Sequence, residues 1–235
     1  MVEKVYGKIF YYLLNAINPF KKTIVDTPCS IHKLINLQAL EILKNDNFLD
    51  AYGFFSDYIT VINDGVVWAD QDFKSLGHFY SPVKEKGLYG NNNALSLAKE
   101  YYKNAIGYWN NDDAVKALFY LGAAVHLIQD VTIPQHANIR LLDSHRQYEN
   151  FIRNNYAGCS EFTVFRGGYY LDNIEEFIFY NARNAINIYN SLKNIENDSE
   201  RFYKITKYIL PLAQKTTAGC FLRYYKDVSR KNAGF

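Results

Sequence analysis

The sequence predicts an all-α fold, a single compact multi-helix domain, on three observations. Glycine and proline are sparse, at 13 and 5 in 235 residues. Apolar residues recur every three or four positions over long stretches, the period of one helix face. No stretch shows the alternation of a half-buried strand. The length suits one core, because single hydrophobic cores stop growing near about 250–300 residues.

Taken in chain order, the periodicity places helices at about 3–17, 31–45, 48–63, 94–110, 112–131, 144–155, 172–192 and 199–226. Ser30 is the expected N-cap of the second and Asp112 of the fifth, since both side chains can accept an otherwise unpaired helix N–H. Loops are expected at Gly87-Leu-Tyr-Gly-Asn-Asn-Asn93, Thr132-Ile-Pro134 and Arg166-Gly-Gly168. The first segment is amphipathic: Val2, Val5, Tyr6, Ile9, Leu13, Ile17 and Phe20 share a stripe flanked by Lys4, Lys8, Lys21 and Lys22. Such a segment docks on its own domain, lies on a membrane surface, or is a cleaved targeting peptide. Asn15 within the apolar stretch and the lack of a small-residue cleavage site speak against the last.

Composition narrows the function classes. Lys and Arg together number 26 against 24 for Asp and Glu, too even for the basic footprint of a nucleic-acid binder. Hydrophobic residues form 49% of the chain, yet no uninterrupted apolar run approaches the roughly 20 residues that span a bilayer. Cys29, Cys159 and Cys220 are too few and too far apart for a disulfide framework. Cys159 and Cys220 read as small core residues or free thiols, and the compartment stays open between cytoplasmic, membrane-peripheral and secreted.

The chemistry concentrates on the five histidines, His32, His78, His126, His136 and His145. His126-Leu-Ile-Gln-Asp130 and His145-Arg-Gln-Tyr-Glu149 each set a histidine and a carboxylate four residues apart, on one helix face, where both can grip one ion. A lone pair of this kind is usually a surface ion pair. His126 and Asp130, however, end the apolar run that begins at Ala117, and burying both is costly unless they are paired or bound to metal. Two such pairs point to a multinuclear zinc site. His136, His78 in Gly77-His-Phe-Tyr-Ser-Pro82, and His32 at a helix start can supply further ligands.

These residues resemble the bacterial zinc-dependent phospholipases C, among them the small secreted phosphatidylcholine-preferring enzymes and the catalytic domain of the clostridial alpha-toxins. The resemblance runs from about Asp26 to the C-terminus, dividing the chain into an amphipathic segment 1–26 and a phospholipase C-like helical domain 27–235. It is carried by Phe119-Tyr-Leu-Gly122, His126-x-x-x-Asp130, Pro134-x-His136-Ala-Asn138, His145-x-x-Tyr-Glu149 and His78-Phe-Tyr-x-Pro82.

The resemblance implies two to three zinc ions. One would be held by His78, His126 and Asp130, a second by His136, His145 and Glu149, and a third by His32 with Asp130 shared. It also implies a carboxylate, Asp70, that orients or deprotonates the attacking water, with Asp72 as its competitor. Family members complete the third site with a leading tryptophan, but here no tryptophan precedes His32. Cys29 stands three residues before it, at a helix start expected to lower its pKa, and is the candidate replacement.

The expected activity is phosphodiester hydrolysis of glycerophospholipids, giving diacylglycerol and a phosphorylated head group. The expected partner is phospholipid at a membrane surface, with no nucleic acid and a monomeric chain. Aromatics of the loop from Glu161 to Tyr170 are candidates for touching lipid. One rival is a zinc-dependent single-strand nuclease, whose last metal pair resembles Asn-Leu-His-x-x-Trp-Asp where this chain has Tyr148-Glu149. The other is a non-catalytic, metal-stabilised, membrane-associated domain.

Overall fold

The computed structural model describes residues 29–71, 76–88, 90–139, 145–156 and 159–232. The segment 1–26 with its expected helix, and Asp72, lie outside them. Among the described residues the fold is all-α, as expected. Its helices are α1 (Ser30–Asn45), α2 (Leu49–Asp70), α3 (Ala94–Asn110), α4 (Ala114–Asp130), the single turn α5 (Pro134–Asn138), α6 (His145–Asn155), α7 (Ile174–Leu192) and α8 (Asp198–Asn232). None is long and apolar enough to cross a membrane.

Two caps fall one residue from the expected positions. The cap of α1 is Cys29, not Ser30, in a left-handed conformation (φ 37°) with its side chain bonded to no helix N–H. The cap of α4 is Asp113, which accepts the Lys116 N–H at 3.1 Å, while Asp112 makes the left-handed turn before it (φ 60°). A reciprocal capping box between Asn93 and Ser96 starts α3.

The largest departure is α2, which runs on to Asp70 rather than ending near 63. Gly65 ought to weaken a helix there, but its missing side chain is used for packing. A Cβ on Gly65 would lie 1.9 Å from the Phe119 carbonyl oxygen, and one on Gly122 would lie 2.0 Å from that of Ile62. The two glycines let α2 and α4 meet backbone to backbone, so each helix can pass through the core and deliver its C-terminal residue to one place. Around this pair the core closes with Phe55 of α2 stacked on Phe221 of α8, ring centroids 4.7 Å apart. A second apolar cluster joins α1, α6 and α8 through Ile35, Tyr148, Ile152, Phe202 and Ile209. Helix α8 continues through Pro211, although proline cannot donate to the helical ladder.

The loop after Arg166 is tied to α1 by Asp46. Its carboxylate accepts hydrogen bonds from the Gly167 and Gly168 N–H groups and the Tyr170 hydroxyl. In the stretch from Glu161 to Tyr170, Phe162 is a buried core residue, whereas Phe165 and Tyr170 are exposed.

Candidate metal centre

The last turn of α4 forms the floor of the site. His126 and Asp130 are both buried there, with His126 Nε2 3.1 Å from Asp130 Oδ2. The same oxygen receives His78 Nδ1 at 2.7 Å and lies 3.9 Å from His136 Nδ1. The other oxygen, Oδ1, faces His32 Nε2 at 3.4 Å. The two oxygens of Asp130 thus turn to different histidines.

Local structure explains how four histidines from four segments converge. His32 lies in the first turn of α1. The segment carrying His78 is clasped to α5, with Tyr80 N–H donating to the His136 carbonyl at 3.1 Å and His136 Nδ1 bonded to the His78 carbonyl at 3.3 Å. Because a carbonyl only accepts, this bond has His136 donating from Nδ1, which in the neutral ring leaves the lone pair on Nε2. The Phe79 ring stacks on His136 at 4.7 Å and holds the imidazole in plane. Pro134 suits the first turn of α5, where its missing N–H has no partner to lose.

The charges of the cluster are strongly interdependent. Burial alone would push the Asp130 carboxyl up, but the imidazoles of His126 and His136 hold it well below the usual carboxylate range. Burial pushes His32 down, which favours the neutral imidazole a metal requires. Among the described residues, two combinations bring ligand atoms within 4.8 Å of one another: His32, His126 and Asp130, and Asp70, His78 and His126. His126 Nε2 and His78 Nδ1 are 3.2 Å apart and aimed at one carboxylate oxygen. Converging imidazole and carboxylate atoms of this kind fit zinc, which prefers such ligands.

Asp70, the last residue of α2, reaches the cluster with Oδ1 3.9 Å from His126 Nε2. Burial raises its pKa, but His126, His32 and the Cys29 hydrogen bond together offset this and hold the group ionised. The Cys29 thiol donates to Asp70 Oδ2 at 3.1 Å. This corrects the expected acidity of Cys29: burial, then the Asp70 charge, push the thiol up rather than down. The left-handed turn at Cys29 points its sulfur at a carboxylate instead of at the N–H groups of α1. Glu149, on the cavity-facing side of α6, borders the same space, and His145 begins that helix, its side chain outside the description.

The cluster opens into a cavity of about 360 Å³. One wall is apolar, built from Ile31, Ile35, Ile133, Ile152, Ile209 and Leu210. Sequence reasoning missed this wall and two polar residues. Gln129 sits beside His32, and Arg153 lines the cavity one helical turn beyond Glu149. A polar residue inside the Ala117–Asp130 apolar run, and the His145, Glu149, Arg153 spacing, were the available signals.

Residues 31–211 match the family described as zinc dependent phospholipase C. A phospholipase C of Clostridium novyi is 25% identical over 85% of this chain and 59% of its own length. One of Bacillus cereus is 30% identical over 53% of this chain and 50% of its own. The structure of the alpha toxin from Clostridium absonum superposes with a TM-score of 0.73 at 22% identity, covering 87% of this chain and 65% of that one. This chain therefore spans about three fifths of the length of the clostridial relative. With the match covering most of its residues, the chain belongs to the zinc-dependent phospholipase C family.

Proposed function

We propose that the chain binds two to three zinc ions and is a phospholipase C, cleaving glycerophospholipids between phosphorus and the glycerol oxygen to give diacylglycerol and a phosphorylated head group. The observation that carries this reading is Asp130, whose two oxygens face separate histidines beneath a half-apolar cavity. His78, His126 and Asp130 would hold one ion, His136, His145 and Glu149 a second, and His32 with Asp130 a third. Bound zinc supplies charge neutralisation for the phosphate oxygens and a water whose pKa falls toward about 7.

The chain's own groups do the rest. Asp70, kept ionised and partly open to the cavity, accepts a proton from the attacking water or orients it. Arg153 places a guanidinium on the wall, suited to a phosphate oxygen. The isoleucine wall receives the apolar glycerol end of a lipid, met at a membrane surface by a monomeric chain.

Cys29 completes the third site in this reading. Burial, then the charges of Asp70 and Asp130, holds its pKa high, and a cation held by His32 and Asp130 would shift the balance toward thiolate. Cys29→Ala is expected to lower bound zinc from three ions to two by elemental analysis. Three ions retained would remove Cys29 from the ligand set.

Zinc content measured alongside a phospholipid head-group panel, with single-stranded DNA as a parallel substrate, tests the whole reading. Phospholipid hydrolysis should vanish on chelation and return with zinc. Activity surviving complete metal removal would overturn the mechanism. Cleavage of DNA alone would favour the nuclease, and zinc bound without cleavage of either substrate would indicate a non-catalytic domain.

A further inference from the structure

Beside the cluster runs a buried chain of side-chain amides that the hydrolytic reading does not use. His32 Nδ1 lies 2.8 Å from Gln129 Oε1. Gln129 Nε2 donates to Asn36 Oδ1 at 2.8 Å and to Thr217 Oγ1 at 3.1 Å. Asn36 Nδ2 donates in turn to Asn63 Oδ1 at 2.9 Å. Gln129 and Asn36 are 1% and 0% exposed, so water offers them no substitute partner and each bond is costly to leave unmade.

The direction of this chain has a chemical consequence. Both hydrogens of the Gln129 amide are committed, one to α1 and one to α8, which leaves its oxygen toward His32. An amide oxygen only accepts, so His32 must donate from Nδ1. The neutral ring then bears its lone pair on Nε2, the nitrogen that faces Asp130 Oδ1 at 3.4 Å. Gln129 and Asp130 are consecutive residues, and between them they engage both nitrogens of one imidazole.

We infer that Gln129 is a positioning residue for the outermost metal site: it fixes the tautomer and rotation of His32 so that Nε2 is presented as a ligand. This rests on the zinc reading above, with His32 and Asp130 as ligands. Outer partners of metal-bound histidines act in this way, and their loss typically weakens metal binding by about 10–100-fold. The chain also ties the His32 ring to α2 and α8, so its aim depends on how those helices sit.

Nitrogen-detected NMR of the histidines, with zinc titrations against a competing chelator, tests the inference. In wild-type protein, metal-free and zinc-loaded, the His32 resonances should report a proton on Nδ1. Gln129→Met, which keeps the volume and loses the acceptor, should weaken the weakest zinc site by about 10–100-fold and leave the tighter sites unchanged.

A His32 protonated on Nε2 in the zinc-loaded protein would overturn the inference. So would Gln129→Met binding every ion as tightly as wild type. The tautomer is read on unmutated protein, so a variant that fails to fold does not remove the test. It is also read without metal, so a protein that proves to bind only two ions contradicts the third site while the His32–Gln129 bond is still judged by NMR.

Discussion

Asp130→Asn is expected to leave one zinc ion bound and to lower phospholipid hydrolysis by about a thousandfold or more. The substitution keeps the shape but turns one carboxylate oxygen into an N–H donor and removes the charge that holds the cluster. In the proposed assignment Asp130 serves both the His78–His126 position and the His32 position, so both ions should go. The ion assigned to His136, His145 and Glu149 uses no atom of Asp130 and should stay. Removing one member of a buried charged group costs about 3–5 kcal/mol, so the metal-free variant should also unfold at lower urea. Elemental analysis, a head-group assay and a urea titration measure the three effects. Three ions in a folded Asp130→Asn protein would show that this carboxylate is not shared.

Gly122→Ala should have the second largest effect, on stability. Glycine to alanine within a helix is ordinarily favourable by roughly 1 kcal/mol. Here the new Cβ would meet the Ile62 carbonyl oxygen at 2.0 Å, a backbone atom that cannot rotate away. Helices α2 and α4 must separate, and overpacking of this kind costs about 1–3 kcal/mol or more. Net of that helix gain, a loss of about 1–2 kcal/mol or more in urea is expected. Gly53, also on α2, has nothing within 4 Å of its ideal Cβ. Gly53→Ala should therefore stabilise by roughly 0.5–1 kcal/mol, and equal effects at the two positions would refute the packing account. Because α2 and α4 end in Asp70 and Asp130, Gly122→Ala should also loosen zinc binding.

Much of this site was legible in the sequence because helical spacing converts directly to geometry. His126 and Asp130 four residues apart on an apolar helix had one arrangement available to them. The presence of α2 was equally legible, but its length was not: Gly65 carries a local signal for weakness, and only the approach of Phe119 from a distant helix shows what the glycine accommodates. Cys29 failed for a related reason. A helix start favours a thiolate, but the left-handed turn that aims the sulfur at Asp70 depends on where α2 ends. Gln129 stood out only as a polar residue in an apolar run; its partners were not legible, since they come from α1 and α8, 93 and 88 residues away in the chain.

The meeting of helix ends at the cluster has an electrostatic consequence. Helices α2 and α4 both finish there, on Asp70 and Asp130, and each brings the partial negative charge, about half an elementary unit, of its C-terminal end. Helix α1 starts at the same cavity through Cys29, Ser30 and Ile31 and brings the opposite pole. The backbone itself thus sets up a graded field: two negative poles deep in the site that favour cations, and a positive pole at the wall that favours an incoming anion. Replacing individual side chains would leave this field in place, so the scaffold retains a bias toward holding metal beneath a phosphate even where single ligands differ.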